Sequence, residues 1–138
     1  IKELAVYEKL LHEVTADESL LKKTLFDTEY AKVLIAEYDG EPAGMALYFH
    51  SYSTFLGKPG IYLEDLYVKE KFRGKGLGKG LLKKLAEICD ENDFGRLEWS
   101  VLDWNKPSID FYESLGADSQ DEWIKYRVTG DTLKKLSE

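Results

Sequence analysis

The run KEKFRGKGLGKGLLKKLAE, residues 69–87, decides how the rest of the chain is read. Gly74, Gly76, Gly78 and Gly80 recur at every second position among Lys71, Arg73, Lys75 and Lys79. Directly after them, Leu77, Leu81, Leu82, Leu85, Ile88 and Cys89 form one apolar stripe at helical spacing, predicting a helix that ends before Asn92. A helix start exposes unpaired N–H groups at the positive end of the helix dipole. Glycines let an anion approach that backbone closely, and local cations deepen the field. The alternative is a flexible turn with a solvated lysine face. Two familiar phosphate motifs do not fit. Gly78-Lys79 is followed by Gly80 where a P-loop needs Ser or Thr, and Arg73 stands where its first glycine belongs. Counted from Gly74, a dinucleotide fingerprint would need its third glycine at Lys79.

Working outward, IYLEDLYV (61–68) reads as a strand feeding the glycine loop, and RLEWSVL (96–102) as another after the helix. AKVLIAEYDGEPAGMALYFH (31–50) gives two β-rich runs around Asp39-Gly40, a hairpin signal, with His50 closing the second. SYSTFLGKPG (51–60) reads as a loop. Upstream, Ile1, Leu4, Ala5 and Leu11 fall at helical spacing, and DESLLKKTLF (17–26) predicts a second helix capped by Thr15 or Asp17. Downstream, NKPSIDFYESLG (105–116) predicts a helix opened by Asn105 and Pro107 and stopped by Gly116. EWIKYRVT (122–129) predicts a last strand before an amphipathic tail. The order makes a mixed α/β domain, with residues 1–138 expected to form one domain.

Composition narrows the function. Aromatic residues supply 13% of the chain and hydrophobic residues 43%, enough for a packed core. The net charge of −7, from 26 acids against 19 bases, argues against a nucleic-acid binder and favours a cationic partner. The single Cys89 excludes an internal disulfide, and His12 and His50 join no constellation, so no metal site is expected. No apolar run is long enough to span a bilayer, and the reading is a cytoplasmic protein.

The run Arg73-Gly74-Lys75-Gly76-Leu77-Gly78 matches the [RQ]xxGx[GA] signature of the GNAT superfamily of N-acetyltransferases, between a strand and a helix as that family requires. With IYLEDLYV before it and LDWNKPSIDFYESLGA (102–117) after it, the chain resembles the diamine (spermidine/spermine) and thialysine N-acetyltransferases. The resemblance implies a GNAT fold: a mixed central sheet with splayed middle strands, flanked by helices. Family members open with a strand carrying an R-P-A-T-like run, which this chain does not show.

Acetyl-coenzyme A is the implied co-substrate. The resemblance puts its pyrophosphate on Arg73, Gly74, Lys75, Gly76, Leu77, Gly78 and Lys79, and runs Leu66, Tyr67 and Val68 beside the coenzyme, their amides polarising the thioester carbonyl. It adds Asn105, Lys106, Pro107, Ser108 and Tyr112 to the coenzyme contacts, and gives Tyr112 the role of acid for the departing sulfur. A phenol, with an ordinary pKa of about 10, carries its proton at neutral pH. Glu64 is implied to accept the amine proton, directly or through water, with Asp65 beside it. Adjacent strand residues point to opposite faces, so both can serve one pocket only if a bulge interrupts the strand. Tyr7 and Glu8 match acceptor-contacting positions, Glu98, Trp99 and Ser100 are expected to line the acceptor channel, and Asp121 and Glu122 to meet the far end of a long cation. The implied reaction is direct acetyl transfer to the primary amine of a polyamine or diamine. Thialysine, another lysine-like amine or a protein amine stands as the alternative, and a homodimer is implied by the same resemblance.

Overall fold

The computed structural model describes residues 1–138. Two compact units form, Ile1–Leu102 and Asp103–Glu138.

The first unit is built on a four-stranded sheet in the order β1-β2-β3-β4. Strands β1 (Lys32–Tyr38) and β2 (Glu41–Ser53) form the expected hairpin. Its two-residue turn needs left-handed backbone at both central positions, and Asp39 (φ 50°) and Gly40 (φ 80°) supply it. Strand β3 (Lys58–Val68) returns antiparallel to β2, and β4 (Leu97–Trp99) lies parallel to β3. The predicted loop over 51–60 is therefore shorter than its composition suggests. Ser51 to Ser53 and Lys58 to Gly60 pair across a tight turn, so polar residues at a sheet end still satisfy their ladder. His50 consequently sits inside β2 rather than at its end, edge-on to the Phe94 ring at 5.2 Å.

Helix α1 (Lys2–Tyr7) is short, and Leu4 is its one buried residue. Helix α2 (Glu18–Lys22) starts on Asp17, whose carboxylate accepts the Leu20 N–H at 2.8 Å. It continues into one wider turn at Lys23–Asp27. Helix α3 (Leu77–Glu91) ends at Asn92 as the stripe predicts, and buries Leu81, Leu82, Leu85 and Cys89. With Ile61, Leu63, Ala43, Ala46 and Tyr48 of the sheet, these residues are the core. Each fully buried leucine contributes about 1.5–3 kcal/mol of transfer free energy, which fixes α3 and the loop that precedes it.

The second unit holds α4 (Lys106–Ser114) and α5 (Gly130–Leu136). Asn105 caps α4 through its side-chain oxygen, and Gly116 (φ 88°) follows it. The predicted strand over 122–129 does not form. Its β-rich composition is no substitute for a hydrogen-bonded neighbour, and this unit contains no other strand.

Candidate functional site

The expected coenzyme loop enters α3 through two left-handed glycines, Gly74 (φ 77°) and Gly76 (φ 81°). A Cβ at either would meet nothing within 4 Å, so these glycines answer to backbone conformation and leave open space around it. No side chain caps α3. Uncapped leading amides, a left-handed entry and clear space together make a cradle that fits a pyrophosphate. Both cations of the loop's first half lie on tyrosine rings. Arg73 stands 5.4 Å from the Tyr7 ring centre and 5.3 Å from that of Tyr67, while its Nε donates to the Val68 carbonyl at 2.9 Å. Lys75 lies 5.0 Å from the Tyr38 ring centre. Lys79 is exposed on the first turn of α3.

The strand beside the loop departs from regularity at the point where the carboxylates sit. Leu47 pairs with Asp65 and Tyr48 with Leu63, so Glu64 is an extra residue in β3. The bulge resets the alternation. Asp65 pairs with Leu47, on the face that also carries Tyr67 opposite Met45 and Tyr62 opposite Phe49. Without it, Asp65 would face the core alongside Leu63. The pairing of β4 with β3 ends at Leu63 and Trp99, so β3 runs on from Glu64 to Val68 with no strand neighbour on that side. This is the splay expected of the sheet, and it frees the outward-facing amides of that stretch from any ladder.

Glu8, at the end of α1, shares the field of this bulge. Its carboxyl is raised above the ordinary range, first by burial, then by the Asp65 and Glu64 charges. Asp65 is raised likewise, first by burial and then by Glu64. Three carboxylates held together against their mutual repulsion make a site that gains from a cation. Tyr7 from the end of α1, Glu8 just after it, Glu64, Asp65 and Tyr67 from β3, and Arg73 from the loop are thus brought together.

Farther along the sheet, Glu98 pairs with Arg96 at 2.6 Å, so much of its charge is neutralised by its own strand. Ser100 Oγ lies 2.7 Å from the Tyr62 hydroxyl. Trp99, half-buried, pairs with Leu63 and so faces the side opposite Glu98. Cys89 is buried, which pushes its thiol up, in keeping with a core residue. In the second unit, Asn105 is buried at the start of α4, and Tyr112 is half-buried on the same helix with its ring centre 5.7 Å from that of Phe111. Pro107 and Ser108 lie in the first turn of α4, and Lys106 pairs with Asp110 at 2.7 Å, which raises the lysine's pKa. Asp121 and Glu122 are exposed on the segment that forms no strand.

Two features are not legible in the sequence: the approach of Arg73 to the Tyr7 and Tyr67 rings, and the Tyr62–Ser100 link. Both join residues far apart in the chain, and such contacts leave no mark in composition.

Comparison with known proteins agrees with this geometry. The sequence pattern of the Acetyltransferase (GNAT) family matches residues 4–117. A thialysine N-epsilon-acetyltransferase of Bos taurus is 40% identical over 149 aligned residues, covering 99% of this chain and 87% of that protein. A spermidine/spermine N(1)-acetyltransferase-like protein of Homo sapiens is 34% identical, covering 99% of this chain and 21% of that protein. Among solved structures, an integron cassette protein from the mobile metagenome of V. cholerae superposes with a TM-score of 0.83 at 29% identity, covering 99% of this chain and 86% of that one. A match over residues 4–117, on a chain whose sheet splays beside a glycine loop opening a helix, leads to one statement: the chain belongs to the acetyltransferase (GNAT) family.

Proposed function

We propose that this chain moves the acetyl group of acetyl-coenzyme A onto a primary amine of a small diamine or polyamine. The observation that supports the acceptor class is the cluster of Glu8 with Asp65 and Glu64 at the bulge in β3, which suits a flexible chain bearing more than one cation. Acetyl-coenzyme A, when bound, supplies an acyl thioester.

The residues of this chain then have distinct tasks. Backbone amides from Arg73 to Lys79 hold the pyrophosphate, and those of Leu66 to Val68 polarise the acetyl carbonyl as an oxyanion hole does. Glu8 and Asp65 bind the ammonium groups. Glu64 takes the proton from the attacking amine, because only the neutral amine carries the lone pair that forms the C–N bond. As the C–S bond breaks, Tyr112 gives its proton to sulfur. Asn105, Lys106, Pro107 and Ser108 contribute to the coenzyme's seat from the start of α4. A protein nucleophile is not needed.

A second reading has its own support. The bovine relative at 40% identity is a thialysine N-epsilon-acetyltransferase, and thialysine, like a diamine, presents a primary amine on a flexible chain. Initial rates of coenzyme A release with spermidine, spermine, putrescine, thialysine and lysine, each confirmed by product mass, decide between them. Turnover confined to thialysine and lysine would overturn the polyamine reading.

We further infer that residues 1–138 act as one catalytic domain and that the protein is a cytoplasmic homodimer. A lone thiol at Cys89 suits a reducing compartment. The exposure of Trp123, Ile124 and Tyr126, at 75%, 76% and 89%, suits a surface that a second copy covers. No helix is long and apolar enough to cross a membrane.

A further inference from the structure

We propose that Tyr7 is a positioning residue that couples the coenzyme loop to the amine site, with Arg73 as the link. The proposal rests on the acetyltransferase reading above and adds to it a reciprocal energetic connection between the two substrates.

Tyr7 is the last residue of helix α1, which buries Leu4. Its ring centre lies 5.4 Å from the guanidinium carbon of Arg73, which also stands 5.3 Å from the Tyr67 ring centre. Glu8 follows Tyr7 directly and is tied to the same turn, its N–H donating to the Leu4 carbonyl at 2.9 Å. Lys9 then takes a left-handed conformation (φ 62°) that ends the helix. The position of Tyr7 therefore sets the position of Glu8, and Glu8 is the carboxylate that reaches the bulge from outside the strand.

Arg73 contacts the Tyr7 and Tyr67 rings, donates to the Val68 carbonyl, and opens the glycine loop. An anion held by that loop restrains the guanidinium, and a restrained guanidinium restrains Tyr7. Coenzyme binding thus orders Glu8 for the amine, and by linkage the amine tightens the coenzyme by the same factor. Asp65 and Glu64 receive no such signal, because they are carried by β3 itself.

A cation–π contact at a partly exposed site limits the coupling to about two- to fivefold in affinity. The test is calorimetric titration of spermidine and of thialysine into the full chain, with and without saturating coenzyme A, which carries no acetyl group and so permits no turnover. In the wild type, coenzyme A should tighten the amine within that range. Tyr7→Phe keeps the ring face and should keep the factor. Tyr7→Leu should reduce it to one. Arg73→Lys should also abolish it, since a lysine retains the charge but not the flat guanidinium. Thermal melts of each variant separate loss of coupling from loss of fold. A factor that survives in Tyr7→Leu, or that is absent from the wild type while both ligands bind, overturns the coupling alone. Failure of the wild type to bind coenzyme A overturns the acetyltransferase reading and the coupling with it.

Discussion

At the scale of single residues, Asp65 carries the clearest conflict between stability and function. Its raised carboxyl pKa means that the folded chain binds a proton more readily than the unfolded chain. Stability therefore falls as pH rises through the window between the ordinary and the raised carboxylate values, and the destabilisation persists at neutral pH. Asp65→Asn should raise the melting temperature at pH 7 by roughly 2–5 °C and weaken amine binding. The stability gain should shrink as pH falls through that window, because the wild-type carboxyl then becomes neutral as well. Melting curves across pH check the sign. Tyr112 should behave in the opposite way. Tyr112→Phe should leave melting and coenzyme A affinity near wild type and lower kcat by about 10²-fold or more, as expected on losing a general acid. Single-turnover rates beside coenzyme A titrations separate the two effects.

At the scale of elements, the approach of β2 to β3 depends on Gly44. A Cβ there would fall 2.8 Å from the Tyr67 carbonyl oxygen and 3.2 Å from Val68 Cγ2. Backbone cannot yield as a flexible side chain does, so Gly44→Ala must displace β3 at Tyr67 and Val68, beside which the proposed function seats the thioester. A loss of about 1–3 kcal/mol in denaturant unfolding is expected, together with weaker coenzyme A binding. Gly78→Ala, whose added methyl would meet Val68 Cγ2 at an ordinary 3.8 Å, is the milder control.

The same scale shows what could be read from the sequence and what could not. Helix α3 was legible because its leucine stripe and its burial are one pattern. The Asp39-Gly40 turn was legible because few residues accept its backbone angles. The bulge at Glu64 was only a possibility that adjacent carboxylates on a strand demanded, since register is a property of two strands together. The strand expected over 122–129 was misread for a related reason: Trp123, Ile124, Tyr126 and Val128 have the right composition, but pairing comes from a neighbour that composition does not provide. The lysine and glutamate pairings of the strands were likewise out of reach, so the Arg96 partner of Glu98 became visible only in three dimensions.

At the scale of the whole molecule, an acidic chain gathers five of its nineteen lysines and arginines at 69–79 and clusters the carboxylates of Glu8, Glu64 and Asp65. Under the proposed function, opposite fields draw an anionic coenzyme and a cationic acceptor to adjacent places. Such attraction is screened by salt, so the KM for a polyamine should rise steeply between low and physiological ionic strength while kcat changes little. A salt series of initial rates tests that directly.

The central claim is that the carboxylates around the bulge select a small polycationic amine for acetyl transfer. The most direct measurement compares kcat/KM for putrescine and butylamine, which share a chain length and an attacking amine but differ by one positive charge. The account predicts that putrescine is preferred by about tenfold or more, equivalent to ~1.4 kcal/mol, and that Asp65→Asn removes most of the preference. Equal rates for the two amines, or a preference unchanged in Asp65→Asn, would contradict it.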